Sequence, residues 1–285
     1  MNRIVLRKEI DISVLRQGFT IPRKTTEIFG FFAGAYLQPG ESKEITIIFN
    51  NHPFFVQVRN TDFNEENRKI HPNDAIQIRY TIQSDFAKEL RAEFHASWSF
   101  LNGEWSRRRQ LGDRKRIFLP SDKKEYLVLY STAKEDVFMA EPILSDDLTD
   151  LKRLFSPYPE QQLEAFLEDD ITDPNAGIEE RLVLAKFRKL DTSISTRLKE
   201  LYGYRCQICG EVVGLPYGVH ACECHHIDYF SRSWNNDMSN QLIVCPNHHR
   251  AIHSADPFFN RKLLQYEFRN GFTEKLKLNK HLIAS

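Results

Sequence analysis

The sequence predicts an α+β protein in three stretches: a β-rich domain over residues 1–144, a helical acidic connector over 145–200, and a small metal-bearing domain over 201–285. Three observations carry this expectation. Apolar and polar residues alternate in short runs through the first 140 residues, helical spacing takes over near residue 145, and all five cysteines fall between Cys206 and Cys245, among histidines.

Taken in order, Glu44–Phe49 and Phe54–Arg59 read as two strands joined by a turn at Asn50-Asn-His-Pro53. Ala75–Ile82 alternates with the period of a half-buried strand. Phe86, Leu90 and Phe94 recur at helical spacing behind Ser84, a good N-cap. Arg114–Leu119 and Glu125–Tyr130 read as a last pair of strands around Pro120-Ser-Asp. The connector reads as three helices, Glu160–Glu168, Ile178–Leu190 and Ser193–Tyr202, with the clearest break at Asp173-Pro-Asn-Ala-Gly177.

Composition narrows the class. The 285 residues carry 41% hydrophobic and 27% charged side chains, enough for ordinary cores in two modest domains. No apolar run reaches the roughly 18 residues a membrane span needs. The N-terminus turns charged too early for a signal peptide, so a cytoplasmic protein is expected. The net charge of zero hides a pattern: residues 1–144 hold 22 basic against 19 acidic side chains, 145–200 hold 8 against 13, and 201–285 hold 9 against 7. Both mildly basic ends could face phosphate.

Cys206-Gln-Ile-Cys209 and Cys245-Pro-Asn-His248 are two tight ligand pairs of the kind that close a tetrahedral structural zinc site. Cys222 and Cys224 could compete as ligands, although neither has a partner at knuckle spacing. His225-His226 alone says little. The stretch His249-Arg-Ala-Ile-His253 gives it weight, because residues four apart share a helix face and both imidazoles can converge on one ion. His225 could add a third ligand from a strand. His226 would then point elsewhere, a neutral imidazole placed to deprotonate water beside a cation.

The stretches Tyr204–Gly210, Cys224-His-His-Ile227 and Asn240–His253 together resemble the HNH (ββα-metal) endonuclease family. The likeness is to the branch with a structural zinc between two knuckles, and the His-His, Asn and H-x-x-x-H spacing is similar to that of colicin-type nuclease toxins. It covers about residues 200–260. The resemblance implies that His225, His249 and His253 hold the catalytic ion, that His226 is the general base, and that Asn240 fixes the loop orienting His226. It further implies hydrolysis with one metal, in which the ion polarises the phosphate and relieves charge on the leaving 3′ oxygen, giving 5′-phosphate and 3′-hydroxyl ends. Two positions depart from the common pattern. His248 stands where a cysteine is usual, an exchange zinc accepts. His225 stands where many members have Asp, making a softer site that suits Mn²⁺, Ni²⁺ or Co²⁺ beside the expected Mg²⁺. His248 and His249 are adjacent, so a register error of one residue would exchange their roles.

An HNH module reads few bases, so recognition is expected from the N-terminal domain. Trp105–Arg116 contains Arg107, Arg108, Arg109, Arg114, Lys115 and Arg116 against one acid. Two readings stand: contact with DNA, helped by Trp105 and Trp98, or a solvated loop with two core tryptophans. Arg59, Asn60 and Arg79 could reach base edges. The layout resembles that of restriction endonucleases, some of them methyl-directed, and implies double-stranded DNA as substrate and a homodimer that cuts both strands. A less specific nuclease and a zinc-stabilised DNA-binding protein are the alternatives.

Overall fold

The computed structural model of the chain describes residues 5–22, 37–62, 75–113, 115–158, 160, 163 and 178–283. It is a mixed α+β protein that divides into two compact units, Arg3–Asp147 and Leu148–Ser285.

Seven strands make the sheet of the first unit: β1 (Val5–Glu9), β2 (Gly18–Thr20), β3 (Ser42–Phe49), β4 (His52–Thr61), β5 (Ala75–Arg79), β6 (Tyr126–Ser131) and β7 (Val137–Ile143). They lie in the order β1-β6-β7-β3-β4-β5-β2, antiparallel throughout except where β3 runs parallel to β7. The β3–β4 hairpin turns on Asn50 and Asn51 alone, at φ 49° and 63°. Two consecutive positive φ values define the turn whose twist matches that of the strands, and Asn tolerates them best after Gly. Pro53 therefore lies inside β4, opposite Ile48.

Alternation sends Ile45, Ile47 and Phe49 of β3, with Val56 and Val58 of β4, into one core. Phe86 and Leu90 of α1 (Asp85–Glu93) fill the same core, and the Ser84 hydroxyl caps the helix by accepting from the Ala87 N–H at 3.2 Å. Gly18 is obligatory where it stands: its φ is +118°, and a Cβ would sit 1.9 Å from the Ile78 carbonyl oxygen.

Three differences from the sequence expectation have physical causes. A second helix, α2 (His95–Gln110), occupies a stretch to which the sequence reading assigned no element, and it overlaps the loop offered as one reading of Trp105–Arg116. Its Leu101 is buried and its Trp98 and Trp105 pack on the core, so tertiary contact overrides a run of weak helix formers. The expected strand over 114–119 is irregular, with residue 114 outside the described residues, and a 3-10 turn follows at Ser121–Lys123. The partner of β6 is instead β7 together with β1.

Helix α3 (Ser145–Phe155) crosses the boundary between the units in sequence. The expected helix over 160–168 and break over 173–177 lie outside the described residues, apart from Glu160 and Leu163. One continuous helix, α4 (Ile178–Leu201), replaces the two expected over 178–202. The Ser193 hydroxyl donates back to the Lys189 carbonyl at 2.6 Å instead of capping a new helix.

Strands β8 (Glu223–His226) and β9 (Gln241–Val244) pair antiparallel, with Glu223 opposite Val244 and His226 opposite Gln241. Helix α5 (Phe230–Ser233) lies in their connection, and α6 (Pro246–Ala255) follows β9 directly. Helix α4 packs on β9. Three short strands, β10 (Phe258–Asn260), β11 (Gln265–Glu267) and β12 (Thr273–Lys275), complete the unit. Among the described residues no helix is long and apolar enough to cross a membrane.

Candidate metal centres

The end of β9 builds the first centre. Cys245 sits at the N-cap of α6 with Pro246 at the first helical position, where its missing N–H costs nothing. One turn on, His248 turns Nδ1 to within 3.1 Å of Cys245 Sγ and 3.5 Å of Cys206 Sγ. Cys206, Cys209, Cys245 and His248 bring their ligand atoms within 4.8 Å of one another. A tetrahedral zinc with ordinary bonds holds sulfur and nitrogen about 3.5 Å apart, so this Cys3His cluster could hold a metal such as zinc. Burial pushes the Cys206 thiol up to about 12, and the group must lose that proton to act as a ligand. His248 Nε2 lies 3.4 Å from Glu274 Oε1 on β12, and a proton shared there leaves Nδ1 free to face the thiols. Cys222 and Cys224 stand outside the cluster; the Cys224 thiol donates to Gln241 Oε1 at 3.1 Å.

The second cluster is entirely imidazole. His225 on β8 is fully buried, and its ring lies edge-on to those of His249 and His253, with centroids 5.3 and 4.9 Å away. His249 and His253, one turn apart on α6, face each other through Nε2 atoms 3.1 Å apart. The three ligand atoms lie within 4.8 Å of each other. Two nitrogens at right angles around a small divalent ion with bonds near 2.1 Å would be about 3 Å apart, so the pair fits a shared cation.

A helix turns about 100° per residue, and this separates the neighbours His248 and His249. The first faces the thiols and the second the imidazoles, which fixes the register left open by sequence. Glu223 stands two residues before His225 on β8, and its Oε2 lies 2.5 Å from His249 Nδ1. With Nδ1–H donated to that carboxylate, the His249 lone pair is on Nε2, the atom facing His253. The site expected from sequence as three imidazoles without a carboxylate therefore has one against its outer edge.

His226 lies off this cluster. It is 2% exposed, and its Nε2 is 3.1 Å from Asn236 Oδ1 and 3.4 Å from Asp191 Oδ1. Asp191, from α4 and equally buried, also accepts from the Gln241 amide at 3.0 Å. The expectation of a free imidazole beside the ion is revised: His226 is held by groups from α4 and from the β8–β9 connection.

Asn240 is wholly buried and clamps that connection. Its Oδ1 accepts from the Asp228 N–H at 2.9 Å and from Arg261 at 3.0 Å; its Nδ2 donates to the carbonyls of Asp228 at 2.9 Å and Asn235 at 3.0 Å. Arg261 extends the clamp to Asp228 Oδ2 at 2.6 Å and the Ser239 carbonyl at 2.9 Å. Sequence reasoning missed Glu223, Glu274, Asp191, Asn236 and Arg261. Only Glu223 carried a signal, since a strand puts residues two apart on one face.

In the first unit the basic stretch is helical through Gln110 and irregular beyond Gly112, and its charges are not uniformly free. Arg107 bonds Glu104 at 3.0 and 2.7 Å, Arg108 lies 3.6 Å from Glu104, and Arg116 lies 3.2 Å from Asp11. Arg109 stacks its guanidinium 4.3 Å from the centroid of Trp105. Lys115 is exposed, and Arg114 lies outside the described residues. Arg59 and Arg79 are exposed on β4 and β5, whereas Asn60 is buried and donates to the Leu37 carbonyl at 2.8 Å, which removes it from any base edge.

Comparisons with known proteins return no match: no protein-family model, no curated protein and no solved structure.

Proposed function

We propose that the chain is an HNH-type endonuclease of the restriction kind, hydrolysing phosphodiester bonds of specific double-stranded DNA. The observation that carries this reading is the convergence of His225, His249 and His253 on one point, apart from the Cys3His cluster, on two antiparallel strands followed by a helix.

In this reading Cys206, Cys209, Cys245 and His248 hold a structural zinc, while His225, His249 and His253 hold a divalent ion, Mg²⁺ or Mn²⁺ and also Ni²⁺ or Co²⁺. The bound ion supplies Lewis-acid polarisation of the scissile phosphate and relief of charge on the leaving 3′ oxygen. His226 is the base. Its Nε2–H donates to the oxygens of Asn236 and Asp191, so the lone pair is on Nδ1, where the proton of the attacking water arrives. The Asp191 carboxylate then faces the imidazolium that forms. Asn240 and Arg261 hold the β8–β9 connection that positions His226 and Asn236. The N-terminal unit reads the DNA, with or without a base modification, and a homodimer supplies the two active sites that cutting both strands requires.

The burial of His226 favours a second reading, a zinc-stabilised DNA-binding protein that does not cut. One experiment separates them. Methylated and unmethylated plasmids are incubated with the purified chain and Mg²⁺ or Mn²⁺, beside His226→Ala. Discrete fragments with the wild type and none with the variant are expected. A smear would indicate a less specific nuclease, and no cleavage of any substrate with either ion would sink the enzymatic reading. Cleavage by His226→Ala at the wild-type rate would remove His226 from the mechanism.

A further inference from the structure

Outside the metal centres, positive charge gathers on one ring in the first unit. The guanidinium of Arg16 lies 4.2 Å from the centroid of Trp105, and that of Arg109 lies 4.3 Å from the same centroid. The two residues come from different segments, the turn before β2 and the last turn of α2. A third, Arg91, stacks on Trp98 at 5.3 Å. Among the described residues, none of the three forms an ion pair with a carboxylate.

Arg107 and Arg108 show what neutralisation looks like here, because Glu104 takes both. Among the described residues, Arg16 and Arg109 have no carboxylate partner and lie over the indole ring. Its quadrupole attracts a cation, and the C-terminal dipole of α2 favours the charge of Arg109 as well. Close to this ring, burial and, after it, the charge of Arg16 hold the Arg91 guanidinium below its usual value.

The placement is also rigid. Arg91 donates to the carbonyls of Leu15 and Ile82, each at 2.9 Å, and Asp11 Oδ1 accepts from the N–H groups of Ser13 and Val14 at 2.9 and 3.1 Å. The turn that carries Arg16 is thus tied down at both ends before any ligand arrives.

We propose that Arg16 and Arg109, stacked on Trp105, form a docking surface for the sugar-phosphate backbone of duplex DNA. Guanidinium forks match phosphate oxygens in pairs, and stacking on the indole orients each fork without using its donors. An arriving phosphate offers each guanidinium an anionic partner. The choice of duplex DNA among polyanions rests on the function proposed above. The surface itself does not.

The test uses the full zinc-loaded chain without added divalent ion, so that no strand is cut. Anisotropy of a labelled mixed-sequence duplex is read across a KCl series for the wild type, the Arg16→Gln/Arg109→Gln double variant and, as a control, the Arg107→Gln/Arg108→Gln double variant. Each phosphate contact contributes about 0.9 to the slope of log K against log salt, so the first variant should bind more weakly with a slope shallower by about two. The control should change by less than half of that. Circular dichroism establishes folding, and if the double variant does not fold, each single variant should lose about one unit of slope. An unchanged slope in a folded variant overturns the proposal, as does a wild type that binds no duplex. Tighter binding of single-stranded RNA, with the slope loss confined to it, would overturn the duplex assignment. A chain that binds duplex through this surface but never cuts contradicts the proposed function and leaves this inference standing.

Discussion

Replacing Asn240 with alanine removes the clamp on the β8–β9 connection while touching none of the proposed ligands. The side chain makes four bonds of 2.9–3.0 Å, to the Asp228 N–H, the carbonyls of Asp228 and Asn235, and Arg261. Arg261 is partly exposed and keeps Asp228, so water can replace that bond. The other three bonds tie down backbone groups, and at about 1 kcal/mol each their loss costs about 3 kcal/mol. A figure of that size is about a hundredfold in an opening equilibrium. Because the chain has two units, one global unfolding energy is a poor measure, and hydrogen exchange of the Asp228 amide reads the local opening instead. Exchange should quicken about a hundredfold in Asn240→Ala, limited by global opening, while amides of β3 and β4 stay unchanged. Asn240→Asp keeps the Asp228 N–H and Arg261 as partners but sets a carboxylate against two carbonyls, so it should not rescue the wild-type rate. An Asp228 amide that changes by less than about threefold in Asn240→Ala would refute the clamp.

Other outcomes follow from single residues. Glu223→Gln should weaken Mn²⁺ binding about tenfold to a hundredfold, the usual cost of losing an orienting carboxylate, with zinc content unchanged; titration calorimetry on the zinc-loaded chain measures it. Gly18→Ala should destabilise the first unit by more than about 2 kcal/mol, because a positive φ and a backbone clash combine, and urea unfolding checks this. Asp11 offers a pH signature. Burial alone would raise its pKa, but Lys8, the Val14 N–H and Arg116 outweigh burial and hold it below the usual carboxylate value. Its contribution is therefore present above an unfolded pKa of about 3.9 and is lost as pH falls through the lower folded value. Asp11→Asn should cost about 1–2 kcal/mol at pH 7, and the difference should vanish below that folded value.

How much of this was legible in sequence depends on the range of the cause. The β3–β4 hairpin and the α1 cap are local, written in alternation and in Ser84; the cap stands where expected, and the hairpin does so with a turn two residues shorter than Asn50–Pro53. The four residues of the Cys3His cluster were legible because metal-ligand spacing is also local. Helix α2 was not: its Ser97, Ser99, Asn102 and Gly103 argue against a helix, and only Trp98, Leu101 and Trp105 packing on the core hold it. Asp191-Thr-Ser looked like a break, yet Asp191 is buried against Gln241 and His226 while Ser193 bonds back along α4. Strand β7 was hidden by Pro142 and Glu141. Glu274 meets His248 only through the pairing of β12, 26 residues later in the chain, which no local pattern encodes.

In the proposed function two metal centres divide the work, one holding the fold and one cutting DNA. Zinc content and Mn²⁺-dependent cleavage, measured together on His253→Ala and the wild type, test it most directly. About one zinc per chain is expected in both, with cleavage only in the wild type. Loss of the zinc in His253→Ala, or cleavage undiminished without that imidazole, would contradict it.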